Sequence, residues 1–152
     1  MVSEENRSKM LFGCIVGSLY VLFGLIQLLA GLGYGSGWTD AMFIPADLVG
    51  GLILILIGTV FLYGFRELNA GLDGGVAYIY VGLMLALVFT ALYLLTMSAD
   101  ALEAYVIQSE DFLEWTPLDD MNPIIYLGVL PLSGVFAWKS KFSSKTLSKA
   151  GV

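Results

Sequence analysis

The stretch LVGGLILILIGTVFLYGF, residues 48–65, is an apolar run of 18 residues without a charged side chain. A helix of this length spans about 27 Å, close to the thickness of the hydrocarbon core of a bilayer. The run begins just after Pro45 and Asp47 and ends at Arg66 and Glu67, residues that are typical of helix boundaries in membrane proteins. This segment is therefore predicted to cross a membrane.

Three more apolar segments occupy residues 10–33, 76–97 and 124–138. Of the 152 residues, 58% are hydrophobic and 13% are charged, whereas a soluble domain usually carries about 25% charged residues. The last segment spans only about 22 Å, but flanking lysines that reach the interface and local bilayer thinning offset this difference. The sequence thus predicts an all-α, polytopic membrane protein: a four-transmembrane-helix bundle that forms a single membrane domain over residues 1–152.

The distribution of basic residues predicts the orientation of this bundle. All seven basic residues fall on one side of the four segments: Arg7, Lys9, Arg66, Lys139, Lys141, Lys145 and Lys149. The opposite loops, 34–47 and 98–123, contain none. Because positive charge is retained on the cytoplasmic side, a multi-pass protein with both termini in the cytoplasm is predicted.

The outer side is acidic, and the loop 98–123 carries most of its carboxylates. Apolar residues recur at helical spacing over 99–115, which predicts a short amphipathic outer helix between the third and fourth segments. The candidate binding residues there are Glu103, Glu110, Asp111 and Glu114. They would meet water or a cationic partner, and their charge disfavours a nucleic-acid role. The alternative is a loosely ordered, solvated acidic loop, and no calcium-loop spacing predicts a metal site.

Small residues recur every seven positions within the apolar segments and predict close helix packing. In lipid, helices associate mainly through backbone approach at small residues and through occasional polar contacts. The candidate helix-packing residues are Gly13, Gly17, Gly24, Gly31, Gly51, Gly58, Gly82 and Ala86. They either pack this bundle alone or also contribute to an oligomer or subunit contact.

Gln27 is the only carboxamide within the four segments, and it lies on the same stripe as the glycines of the first segment. A polar side chain at this depth is expected to face the interior of the bundle. We expect Gln27 to hydrogen-bond to another helix or to a trapped water. Its role is either to hold helices together or to bind a ligand.

Catalytic chemistry is not indicated by the residue types present. The four segments contain no ionisable Asp, Glu, Lys, Arg or His between their ends, whereas ion-coupled pumps usually mark their path with such residues. The chain has no histidine and only one cysteine, so haem ligation and paired-thiol chemistry have no candidate residues. No cofactor, metal or catalytic residue is predicted.

Three functions are compatible with the sequence. The favoured one is a non-catalytic accessory or assembly subunit that packs against other membrane proteins or self-associates. The second is a channel or carrier for a small solute or lipid, with a polar path near Gln27. The third is a membrane enzyme that uses the carboxylates of the outer loop.

Overall fold

A computed structural model describes residues 4–108 and 110–148, with side chains for 6–108 and 110–138. The described part is helical and contains no strand. The helices are α1 (Glu4–Leu29), α2 (Gly37–Ala41), α3 (Leu48–Asn69), α4 (Gly75–Leu102), α5 (Pro123–Leu127) and α6 (Val129–Ser148). A π-helical turn, Ala30–Tyr34, extends α1, another, Glu103–Ile107, extends α4, and a 3-10 turn covers Glu110–Phe112.

Within the described residues, three continuous helices are long and apolar enough to cross a membrane: Asn6–Tyr34, Leu48–Asn69 and Gly75–Ile107. A shorter apolar helix covers Pro123–Trp138. The predicted all-helical, multi-pass membrane architecture is therefore supported, and a crossing by the shorter fourth helix stays a prediction. The orientation also stays a prediction, and Lys149, one of the residues behind it, lies outside the described residues.

Helix α3 has clear end signals. Asp47 caps its start, because a side-chain carboxylate oxygen accepts a hydrogen bond of 3.0 Å from the Val49 N–H. The helix continues past the charged pair at 66 and 67 and ends at Asn69, four residues beyond the predicted boundary. Gly71 then adopts a positive φ of 77°, a conformation that glycine reaches without steric cost, and the chain turns toward α4.

Helices α1 and α3 approach each other through pairs of glycines, one from each helix, and each glycine lies against the backbone of the other. A Cβ atom added at Gly58 would lie 2.7 Å from the Gly17 carbonyl oxygen, and one added at Gly17 would lie 3.0 Å from the Gly58 carbonyl oxygen. Gly24 and Gly51 repeat this arrangement seven residues away along each helix. A Cβ added at Gly24 would lie 2.8 Å from the Gly51 carbonyl oxygen, and one added at Gly51 would lie 3.0 Å from that of Gly24. Backbone therefore contacts backbone along this interface, which leaves no space for side chains.

Helices α3 and α4 make a similar contact near the turn that joins them. A Cβ at Gly75 would lie 2.6 Å from the Gly64 carbonyl oxygen, and one at Gly64 would lie 3.0 Å from that of Gly75. Farther along, the buried Phe61 ring occupies the space beside Gly82, where an added Cβ would lie 3.0 Å from the ring. The apolar core lies around this ring.

Helix α4 differs from its prediction at the outer end. A span ending at residue 97 and a separate amphipathic helix over 99–115 were expected, but α4 runs without interruption to Leu102 and continues as a π-helical turn to Ile107. The Ser98 hydroxyl donates a 2.6 Å hydrogen bond to the Leu94 carbonyl, so this polar residue is accommodated within the helix. Gln108, with φ 55°, ends the helical path.

The short fourth helix is interrupted once. Segments α5 and α6 meet at Gly128. In an unbroken helix, the neighbouring Leu127 carbonyl would accept a hydrogen bond from the N–H of residue 131. Pro131 has no N–H to donate, which explains the interruption. The Thr90 hydroxyl on α4 lies 3.1 Å from the Ile124 carbonyl oxygen and 2.8 Å from that of Ala86, and this contact fixes α5 against α4.

Candidate functional site

The most distinctive polar group of the bundle lies where the end of α1, the start of α3 and the second half of α4 meet, on the side that the sequence predicts to be the outer one. It consists of Gln27 from α1, Asp47 at the start of α3 and Tyr93 from α4, gathered around Gly50. We call these three side chains and Gly50 the outer polar cluster. A Cβ atom added at Gly50 would lie 2.5 Å from the Gln27 Nε2 and 3.0 Å from the Tyr93 hydroxyl oxygen, and it would overlap the Asp47 carboxylate.

Asp47 connects two helices within this cluster. One carboxylate oxygen caps α3 through the Val49 N–H, and the other accepts a 3.2 Å hydrogen bond from the Tyr93 hydroxyl on α4. A carboxylate oxygen has lone pairs beyond those used in one such bond. The Asp47 side chain therefore positions Tyr93 and still has acceptor capacity on the side that faces Gln27.

Gln27 is fully buried, with 0% of its surface exposed. Neither its Nε2 nor its Oε1 atom has a hydrogen-bond partner among the described residues. The side chain thus lies in the interior of the bundle, but the direct interhelical hydrogen bond that was expected is not formed within the described part. An unsatisfied buried polar group costs about 1–3 kcal/mol, so this carboxamide is a strong candidate for contact with a ligand.

Gly50 provides the room in which these polar atoms meet. A side chain there would overlap the Asp47 carboxylate and lie 2.5 Å from the Gln27 Nε2 atom. Sequence reasoning singled out Gln27 but missed Asp47, Gly50 and Tyr93 as its neighbours. The available signal was an aspartate at the start of an apolar run followed by a glycine three residues later, one helical turn along the same face.

The predicted carboxylates of the outer loop are arranged differently. Glu103 lies in the π-helical turn after α4, Glu110 and Asp111 share the 3-10 turn, and Glu114 is exposed beyond it. Among the residues that the structure describes, no three His, Cys, Asp or Glu side chains are grouped so that they could hold a metal ion. A binding role for these four residues stays a prediction.

A different acidic pair forms where the outer loop returns to the bundle. Burial raises the pKa of the Asp120 carboxyl, and a hydrogen bond with Asp100 and the negative charge of that residue raise it further. The charge of Asp119 acts in the same direction, whereas the Trp115 indole N–H, which donates a 3.0 Å hydrogen bond to Asp120, opposes the shift. The pair was not anticipated because its members are twenty positions apart.

Replacing Asp120 by asparagine is expected to stabilise the fold near pH 7 and to have little effect near pH 3. The pKa of this carboxyl is raised in the folded state, so its stability contribution falls as pH rises through the folded pKa. Asparagine keeps an acceptor for the Trp115 indole. Thermal denaturation at both pH values tests this, with Asp40→Asn, at an exposed outer position, as the control. An equal shift at both pH values would contradict it.

Comparison with known proteins places the chain in a family. A family model described as the MJ0565 integral membrane domain matches residues 4–140. A relative from Methanocaldococcus jannaschii, named uncharacterized protein MJ0565, is 23% identical over 119 residues, which cover 78% of this chain and 80% of that protein. No solved structure matches. With its membrane-spanning helices and a match along most of its length, the chain belongs to the MJ0565 integral membrane domain family.

Proposed function

We propose that this protein is a non-catalytic membrane subunit that docks against another membrane protein through the outer end of α4. The observation that carries this proposal is the length of that helix. Its 33 residues, Gly75–Ile107, extend about 50 Å, whereas the hydrocarbon core of a bilayer is about 30 Å thick. Even a tilt of about 40°, the upper end of the usual range, leaves the last turns outside the core.

The turns that extend past the core carry an apolar surface. We define the outer docking surface as Leu102, Tyr105, Val106 and Ile107, whose side chains are 57%, 61%, 71% and 68% exposed. Three of them follow the spacing of one helical face. Apolar side chains that face lipid need no protein partner, but at this level water or headgroups would surround them. Burial against a partner removes that exposure.

The charge around this surface favours a partner with a basic outer face. The two outer loops contain nine acidic residues and no basic one: Asp40, Asp47, Asp100, Glu103, Glu110, Asp111, Glu114, Asp119 and Asp120. A second copy of the chain would bring like charges together, which is unfavourable at an interface. We assign a role in attracting the cationic subunit to the four candidate residues Glu103, Glu110, Asp111 and Glu114.

This proposal includes the predicted topology. Four spans with both termini in the cytoplasm bring the outer docking surface to the extracytoplasmic side. The contact between Thr90 and the Ile124 carbonyl supports the inclusion of α5 and α6 as the short fourth span. The glycine pairs between α1 and α3 support an intramolecular role for most of the predicted packing residues, since their faces are already occupied within one chain.

Isolation of the full chain from its native membrane in a mild detergent tests the proposal. We expect a second membrane protein to co-purify, and its yield to fall about tenfold with Val106→Asp, the change expected for a contact worth about 1.4 kcal/mol. The matched control is Leu72→Asp, which places the same charge at an exposed apolar residue of the turn between α3 and α4.

Salt gives a second readout, because attraction between surface charges is screened within about 10 Å at 0.1 M salt. We expect the complex to weaken as salt rises. Recovery of a lone monomer from the native membrane would overturn the proposal, as would an unchanged yield with Val106→Asp. Recovery of the chain as a homodimer would overturn the assignment to a basic partner, because the partner would then be a second copy of the chain.

A further inference from the structure

We propose that Asp47, Gln27 and Tyr93 bind a monovalent cation between α1, α3 and α4. This inference goes beyond the proposed docking function and does not depend on it. Polar atoms of these three side chains all lie within 3.0 Å of the position that a Cβ of Gly50 would occupy, so they lie close to one another, and Gln27 is fully buried and without a hydrogen-bond partner among the described residues.

The carboxamide of Gln27 supplies the first ligand atom. Its Nε2 faces the cluster in the structure, and the oxygen and nitrogen ends of a carboxamide are similar in size. Because neither end has a hydrogen bond in the described part, a half-turn of the group breaks no interaction. That turn brings Oε1 to the place of Nε2, next to Gly50 and near the Asp47 carboxylate and the Tyr93 hydroxyl, so that a cation held by these groups could bind it as well.

Asp47 supplies the charge. Its Oδ2 atom accepts the hydrogen bond from the Tyr93 hydroxyl and is the carboxylate oxygen that lies next to Gly50. The Tyr93 oxygen donates this hydrogen bond and keeps lone pairs that can also face a cation. No lysine or arginine occurs between Lys9 and Arg66 or between Arg66 and Lys139, so the sequence places no basic residue in the outer loops to neutralise this carboxylate.

The donor set selects the kind of ion. A carboxylate, a carboxamide oxygen and a phenol are hard oxygen donors, which favour alkali and alkaline-earth cations over transition metals. Calcium takes six to eight oxygen ligands and usually several carboxylates, whereas this cluster has one carboxylate. A single negative charge balances a single positive one. We therefore assign the site to a monovalent alkali cation, with sodium as the probe.

Thermal unfolding of the full chain in detergent tests this assignment. Sodium chloride is exchanged for choline chloride at constant ionic strength, so that general screening is unchanged. We expect a saturable rise in Tm with sodium, of about 3–6 °C at ten times the half-saturating concentration. Equal Tm values in sodium and choline would overturn the proposal, and a response to calcium alone would overturn the assignment to a monovalent ion.

Variants locate the response. Asp47→Asn retains a good helix cap at the start of α3 while it removes the charge, so the fold is expected to persist without sodium sensitivity. Gln27→Leu is expected to abolish the response as well. Tyr93→Phe is expected to raise the half-saturating sodium concentration about tenfold. Should Asp47→Asn fail to fold, the other two variants give the result. The control Asp40→Asn removes an exposed outer charge and should respond like wild type.

A sodium response that survives in both Gln27→Leu and Asp47→Asn would overturn the assignment. A second outcome would do so too: Gln27→Leu could lower Tm equally in sodium and in choline. That result would mean that the carboxamide simply bonds to Asp47 after a small rotation, and that the cluster is a structural contact between α1 and α3.

Discussion

Replacing Gly58 by valine is expected to separate α1 from α3 and to lower the free energy of unfolding by about 3 kcal/mol. The added Cβ would lie 2.7 Å from both the Gly17 carbonyl oxygen and the Val21 backbone nitrogen. These are backbone atoms of a helix, so they cannot move aside as a flexible side chain would. The two helices must therefore move apart, and dispersion contacts along the whole interface weaken.

The measurement is reversible unfolding in mixed detergent micelles, followed by tryptophan fluorescence. Gly37→Val provides the control, because no atom lies within 4 Å of a Cβ added at that position. We expect the control to change the free energy of unfolding by less than about 0.5 kcal/mol, the range of an ordinary surface substitution. A Gly58→Val protein as stable as this control would contradict the backbone contact between α1 and α3.

The glycine spacing illustrates what the sequence can and cannot predict. Recurrence every seven residues predicts which face of a helix allows close approach, because such residues lie on one stripe. It does not predict which glycine meets which. In the structure Gly17 faces Gly58 and Gly24 faces Gly51, a register that depends on how the segment between α1 and α3, which includes α2, aligns the two helices.

The outer end of α4 was misjudged for a physical reason. The predicted span ends at residue 97, where the apolar run stops, but the end of an apolar run is not necessarily the end of a helix. Helical hydrogen bonds form within the backbone and continue across that boundary wherever no residue breaks them. Here the first break comes at Gln108, whose left-handed conformation the local sequence did not predict.

The outer polar cluster was only partly accessible from the sequence. Gln27 was identified because a carboxamide in a span is rare and costly, a property of one residue and its surroundings. Its neighbours Asp47 and Tyr93 are 20 and 66 residues away along the chain. Their convergence depends on the missing side chain at Gly50, which the sequence shows, and on the register of the helices, which one sequence does not show.

The largest effect is expected at Phe61, the ring on which α1, α3 and α4 converge. It is fully buried, its ring centroid lies 6.2 Å from those of both Phe12 and Tyr20, and its atoms occupy the space beside Gly17 and Gly82. Phe61→Ala is expected to cost about 3–5 kcal/mol, because the removed ring leaves a cavity that rigid helices cannot fill.

A size exchange separates this cavity effect from a general loss of folding. An added Cβ at Gly82 would lie 3.0 Å from the Phe61 ring, so Gly82→Leu alone should destabilise by about 1–3 kcal/mol through overpacking. In the Phe61→Ala protein the same leucine enters the cavity and should restore part of the loss. The free energies of unfolding of the wild type, the two single variants and the double variant give the coupling energy between the two positions. We expect about 2 kcal/mol in favour of the double variant. Strictly additive losses would mean that α4 does not pack on Phe61 through Gly82.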